Sequence, residues 1–199
     1  MLFVTSTALE AQTRKAKNNL SAGAGIQQYN GDLGNSFFDF KEEWYGVVRL
    51  AYSRYLNRSL DAQAFATIGD IGRCFDGVLL PGEQVLMLRS RFTTVGAGLK
   101  YKLANGSILK EDSRIMPYVY AGAALNHHQD IWHEAAPRVN RGYYASVNGG
   151  LGISYRLCPR FQLTYNLGLG YFTTDTVDYI SKGRNDMYLQ NIFSMGMDF

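Results

Sequence analysis

Eight stretches of this chain alternate apolar residues with small or polar ones at a period of two. That is the spacing of a strand whose two faces meet different surroundings. The stretches run over about Asn19–Tyr29, Glu43–Tyr55, Ser59–Ile71, Arg89–Tyr101, Arg114–Asn126, Gly142–Arg156, Arg160–Thr173 and Tyr188–Phe199. Their apolar positions include Leu20, Ala22, Ala24 and Ile26 in the first, and Trp44, Val48, Leu50 and Tyr52 in the second. Leu189, Phe193, Met195, Met197 and Phe199 fill the same role in the last. Eight is an even number, which an antiparallel sheet closing on itself in one chain requires.

The opposite faces decide which surroundings those are. They read Tyr45/Val47/Arg49/Ser53, Asp61/Gln63/Phe65/Thr67 and Ser90/Thr94/Gly96/Gly98/Lys100 in the earlier strands. The later ones read Tyr118/Tyr120/Gly122, Tyr144/Ser146/Asn148/Gly150/Gly152/Ser154/Arg156 and Gln162/Thr164/Asn166/Gly168/Gly170. A water-soluble sandwich turns its apolar face inward and covers its outside with charge. Here the polar face is too small and too glycine-rich for a solvated surface, and suits the narrow, side-chain-filled interior of eight strands. The apolar face then meets lipid. Trp44, Tyr52, Tyr101, Tyr143, Tyr155 and Tyr171 fall near strand ends, where aromatic girdles belong. The expected fold class is all-β, an eight-stranded antiparallel up-and-down transmembrane β-barrel.

Length and composition agree with that reading. At 199 residues the chain fits one domain with enough length for a closed sheet. No window approaches the roughly 18 consecutive apolar residues of a membrane-spanning helix. A barrel leaves no such run, because its apolar residues are diluted by polar ones, and the mean hydropathy is an ordinary −0.18. The net charge of +3 is too mild to argue for nucleic acid and fits a surface near anionic lipid. Residues 1–17 begin apolar (Met1-Leu-Phe-Val4) and pass small residues before Thr13-Arg14-Lys15. They read as the remnant of an export signal, with cleavage near Ala11 or Gln12, which leaves residues 18–199 as the barrel domain.

Connections alternate in length. Leu56-Asn57-Arg58 and Leu157-Cys158-Pro159 are tight, and the connection over Lys102–Ser113 is of moderate length. The other four are long: about Asn30–Glu42, Gly72–Leu88, His127–Arg141 and Thr174–Met187. Short turns at one end and long loops at the other put both termini at the short-turn, periplasmic side. Cys74 then lies in an outer loop and Cys158 in a periplasmic turn, about 30 Å apart across the membrane. A disulfide spans under about 7 Å between Cα atoms, so none is expected between them.

Several stretches resemble the OmpA-type eight-stranded barrels, in the variety found in Bacteroidota-like bacteria. They are Gly25-Ile-Gln-Gln-Tyr-Asn-Gly-Asp32, Val48-Arg-Leu-Ala-Tyr-Ser-Arg-Tyr-Leu-Asn57, Pro117-Tyr-Val-Tyr-Ala-Gly122, and Thr173-Thr-Asp-Thr-Val-Asp178 followed by Gly183-Arg-Asn-Asp186. The resemblance extends over essentially residues 19–199. The resemblance implies residence in the bacterial outer membrane, contact with lipopolysaccharide, and delivery by the barrel assembly machinery. It also implies that the aromatic at the end of the last strand, Phe199, is the signal which that machinery reads. Many such proteins continue into a peptidoglycan-binding domain; this sequence stops at Phe199, so that role is not carried over.

Candidate chemistry is sparse. Arg49, Asp61, Lys100 and Arg156, with Glu43 and Asp198, are expected to face the interior, where a lone charge is expensive and pairing is required. They suit a structural plug better than a gate. His127, His128 and His133 beside Asp130 and Glu134 match no metal-ligand spacing and are expected as exposed loop residues. Asp175, Asp178 and Asp186 with Asn185 lack the ordered spacing of a calcium loop and are expected as a solvated loop. No cofactor, metal or catalytic residue is expected, and the chain is not expected to be an enzyme. The expected function is structural: a monomeric envelope-integrity barrel whose long loops meet partners. Phe37, Phe38 and Phe40 mark the candidate contact loop. The alternatives are a narrow pore and, further off, a lipid A-modifying enzyme using His127.

Overall fold

The computed structural model describes residues 17–30, 44–74, 87–133, 141–174 and 185–199. Eight strands follow in order: β1 (Asn18–Asn30), β2 (Tyr45–Tyr55), β3 (Leu60–Cys74), β4 (Met87–Lys102), β5 (Ile115–His133), β6 (Arg141–Arg156), β7 (Phe161–Phe172) and β8 (Met187–Asp198). Each pairs antiparallel with its neighbours in sequence, and β8 returns to β1, so the sheet closes into a barrel. Closure removes both sheet edges, and with them the unpaired backbone groups that would otherwise be exposed. At the seam Asn18 and Phe199 exchange backbone hydrogen bonds of 3.0 and 2.9 Å. Phe199 points outward and is half exposed.

The alternation predicts the two faces through the belt; Leu189, expected on the lipid face of the last strand, is instead buried near the long-loop end of β8. Val48, Leu50, Ile68, Val95, Leu99, Leu125, Val147, Leu151 and Met195 are exposed on the outside. Between them Arg49, Ser53, Thr67, Thr94, Asn126, Ser146, Asn148, Ser154 and Gln162 are buried in the lumen. Tyr52, Tyr101, Tyr143, Tyr155 and Tyr171 stand exposed toward the ends of the outer face.

Tight local geometry makes the short connections. Between β2 and β3, the Asn57 side-chain carbonyl accepts from the backbone N–H groups of Ser59 and Leu60, at 2.9 and 2.8 Å. Asn105 does the same for Ser107 and Ile108 between β4 and β5, at 3.0 and 3.1 Å. Gly106 beside it has φ of 84°, a left-handed conformation that a side chain would oppose.

The main departure is β5. The alternation ends at Asn126, whereas the strand continues to His133, so the expected loop from His127 is strand for its first seven residues. The Asn126–Asp130 run is polar on both faces and therefore reads as a connection. Its backbone nonetheless pairs with β4 through Asp130 and with β6 through Gln129. Backbone pairing demands no apolar face where neither side of the strand must be apolar. A bulge between Arg89 and Ser90 accommodates the extension.

Candidate functional site: the barrel lumen

All four interior charges named from sequence face the lumen, at two levels. Arg49, on β2, is buried with its guanidinium carbon 4.5 Å from the centre of the Phe65 ring and 5.7 Å from that of Tyr120. A guanidinium over aromatic faces keeps part of its solvation when water is excluded. Nearer the short connections, Asp61 accepts from Lys102 Nζ at 2.5 Å. Lys100 stands over the Tyr118 ring, 4.0 Å from its centre, and Tyr118 donates its hydroxyl hydrogen to Asn166. Arg156 is buried with Nη2 2.9 Å from Met116 Sδ. Asp198 accepts from Asn19 at 2.7 Å across the β1–β8 seam. Glu43, the remaining candidate, lies outside the described residues.

Lys102 is the residue that sequence reasoning misses. It shares the inward parity of Lys100, but the alternation reads as ending at Tyr101, one residue before it. Cross-strand register supplies the reason for the pairing: Lys100 lies opposite Asp61 in the β3–β4 ladder, and Lys102 reaches back along the same face. Register is a tertiary property, and parity alone does not reveal which of two lysines takes the carboxylate.

Toward the long-loop end, aromatic side chains fill the lumen. Phe172 sits between Phe92 and Tyr188, with ring centres 5.7 and 5.3 Å away, and Tyr29 and Ile71 complete the cluster. Below it a polar ladder crosses three strands: Thr94 donates to Asn126 at 2.7 Å, and Asn126 donates to Ser146 at 2.8 Å and to the Tyr144 carbonyl at 3.0 Å. Tyr188 donates to Asn148 in the same layer.

The histidines are not loop residues. His127 faces outward on β5 with its ring 4.9 Å from Tyr143, whereas His128 is fully buried among Phe92 and Tyr144. Only parity along an extended β5 separates these adjacent residues. His133 closes the strand, and Glu134 lies outside the described residues. Asp186, expected in a solvated loop, is buried just before β8, with Asn185 beside it partly exposed. Among the described residues no three His, Cys, Asp or Glu side chains gather to hold a metal. Cys158 is an exposed free thiol in the β6–β7 turn, and Cys74 closes β3 at the opposite end of the barrel. The leader 1–16, the aromatic loop with Phe37, Phe38 and Phe40, and Asp175 and Asp178 lie outside the described residues.

Neither a family model nor a curated protein sequence matches the chain. Solved structures do. Neisserial surface protein A is similar over 92% of this chain and 97% of its own, at 14% identity and a TM-score of 0.63. A major outer membrane protein from Thermus thermophilus matches over 92% and 99%, at 14% identity and 0.60. The N-terminal β-barrel domain of Pseudomonas aeruginosa OprF matches over 93% and 100%, at 14% identity and 0.53. At these identities the likeness is one of fold: this chain has the closed eight-stranded barrel seen in small outer-membrane proteins.

Proposed function

We propose that the chain is a bacterial outer-membrane β-barrel with a structural role in the envelope, presenting its long loops outward. The observation that carries this reading is the outer surface. Large apolar side chains stand exposed on all eight strands, from Leu20 and Leu50 round to Leu163 and Met195. In water such a belt would far exceed the apolar patches that monomers expose, whereas in a bilayer it is the required solvent face. The tyrosines toward the strand ends fit the interfaces. In this orientation the short connections and Phe199 face the periplasm, where Phe199 serves the assembly machinery as a recognition element.

Beyond the belt, at the long-loop end, Arg89 and Arg91 project outward and flank Asp70 at 2.7 and 3.0 Å. Outward-facing arginines at this level suit contact with lipopolysaccharide phosphates. The barrel is read as a monomer; it is also read as non-enzymatic, with His127 in a tilted ring contact with Tyr143 and His128 packed among aromatic rings. The Phe37, Phe38 and Phe40 loop is the proposed partner contact. The Bacteroidota-type placement rests on the motifs quoted from the sequence.

Reconstitution tests this reading. Purified protein should insert into lipid vesicles with β-sheet circular dichroism and protease-resistant strands. In a planar bilayer it should give no steady unitary current, since Arg49, Phe65 and Tyr120 pack together at one level of the lumen and Phe92, Phe172 and Tyr188 at another. Steady channel steps would instead establish the narrow pore. A change in lipid A mass that depends on the protein would establish the enzyme.

A further inference from the structure

The half of the lumen toward the short connections holds more positive than negative charge. Lys100, Lys102 and Arg156 face Asp61 and Asp198 there, and both carboxylates are engaged, by Lys102 and by Asn19 respectively. Lys100 stands over the Tyr118 ring, and Asp61 and Asp198 act on it without a direct ion pair among the described residues. Nε and Nη1 of buried Arg156 likewise have none, although Asp198 and Asp112 act on it at longer range. A low-dielectric enclosure makes unmatched charge and unmade hydrogen bonds expensive.

A small cavity opens beside these groups. Its lining includes Lys100, Gln162 and Ser53, together with Lys102, Asn19 and Ser154, which are engaged by Asp61, Asp198 and Thr164 respectively. Gln162 is only 4% exposed, and its amide makes no hydrogen bond to another described residue. The Ser53 oxygen accepts from Gln63 at 3.3 Å, which leaves its own hydrogen to point elsewhere. Met116 joins this wall to Arg156, since it lines the cavity and touches Nη2. The one carboxylate on the wall, Asp61, is neutralised by Lys102 at 2.5 Å. The space admits about two water molecules, which is room for a monatomic anion.

We propose that this cavity is a binding site for one small inorganic anion of the chloride class, held by Lys100 with donors from Ser53 and Gln162. The anion supplies the missing negative charge and occupies donors that the protein leaves open. It enters from the short-connection mouth, beside which the cavity lies.

Two measurements test the site on the intact barrel in detergent. Crystals soaked in sodium bromide should show an anomalous peak within hydrogen-bond reach of Lys100 Nζ, and a cavity holding only water would overturn the proposal. Urea unfolding should have a higher midpoint in sodium chloride than in sodium gluconate at equal ionic strength, because a ligand that binds only the folded state stabilises it. Lys100→Met and Gln162→Leu should each shrink that chloride-dependent shift. A midpoint independent of the anion in the unmodified protein would overturn the proposal. So would a full shift in the variants, and Gln162→Leu decides the matter should Lys100→Met not fold.

Discussion

Individual lumen residues fit one another as ring and gap. Tyr118 lies opposite Gly152 in the β5–β6 ladder, and Tyr120 opposite Gly150. A Cβ on Gly152 would overlap the Tyr118 ring, and one on Gly168 would overlap the Tyr120 hydroxyl. The glycines therefore act as sockets, which explains why a strand-forming sequence tolerates so many of them. Gly149, on the outer face of the same strand, meets nothing closer than 3.4 Å. Gly152→Val is accordingly expected to destabilise the barrel by about 1–3 kcal/mol through overpacking. Gly149→Val should change stability by less than about 0.5 kcal/mol, as surface substitutions do. Equilibrium urea unfolding of the two variants in detergent compares them directly, and equal losses would refute the socket account. Glycine-rich alternation is legible from sequence as a small interior, but the partner of each socket is not. Pairing Tyr118 with Gly152 requires the β5–β6 register.

Single strands show where pattern succeeds and where it stops. Within the belt each strand separates an apolar from a polar surrounding, so parity is written into the residues. Leu151 lies near the middle of the β6 belt, between Tyr143 and Tyr155, and all three are exposed. Leu151→Arg is expected to cost about 2–4 kcal/mol in a bilayer, whereas Tyr155→Arg near the interface should cost about 0–1 kcal/mol. Folding titrations into lipid vesicles measure the difference, and a Tyr155→Arg penalty matching that of Leu151→Arg would contradict the assigned depth. Past the belt both faces are polar and the pattern disappears. The β5 extension through His127 and His128 is invisible for that reason, as is the inward parity of Lys102 just past the expected end of β4.

Across the whole molecule, closure joins the chain's most distant segments. The Asn19–Asp198 hydrogen bond links residues 179 positions apart, and β8 completes the barrel by pairing with both β7 and β1. Contacts of such long range are made late and slowly, because loop closure must precede them. A chain ending before Met187 leaves two open edges, and unpaired backbone groups in lipid cost several kcal/mol each. It is expected to stay protease-sensitive when mixed with vesicles that protect the complete barrel. Resistance equal to that of the full chain would show that seven strands suffice. Local periodicity set against two contrasting solvents is enough to dictate the class of fold, the strand count and the two faces, and all three are readable from the residues in order. Which lumen groups meet is settled in three dimensions instead: Lys102 rather than Lys100 on Asp61, His128 inside with His127 outside, and an open set of donors around one small cavity. Those outcomes depend on register and barrel closure, which bring together residues whose spacing along the chain carries no trace of their contact.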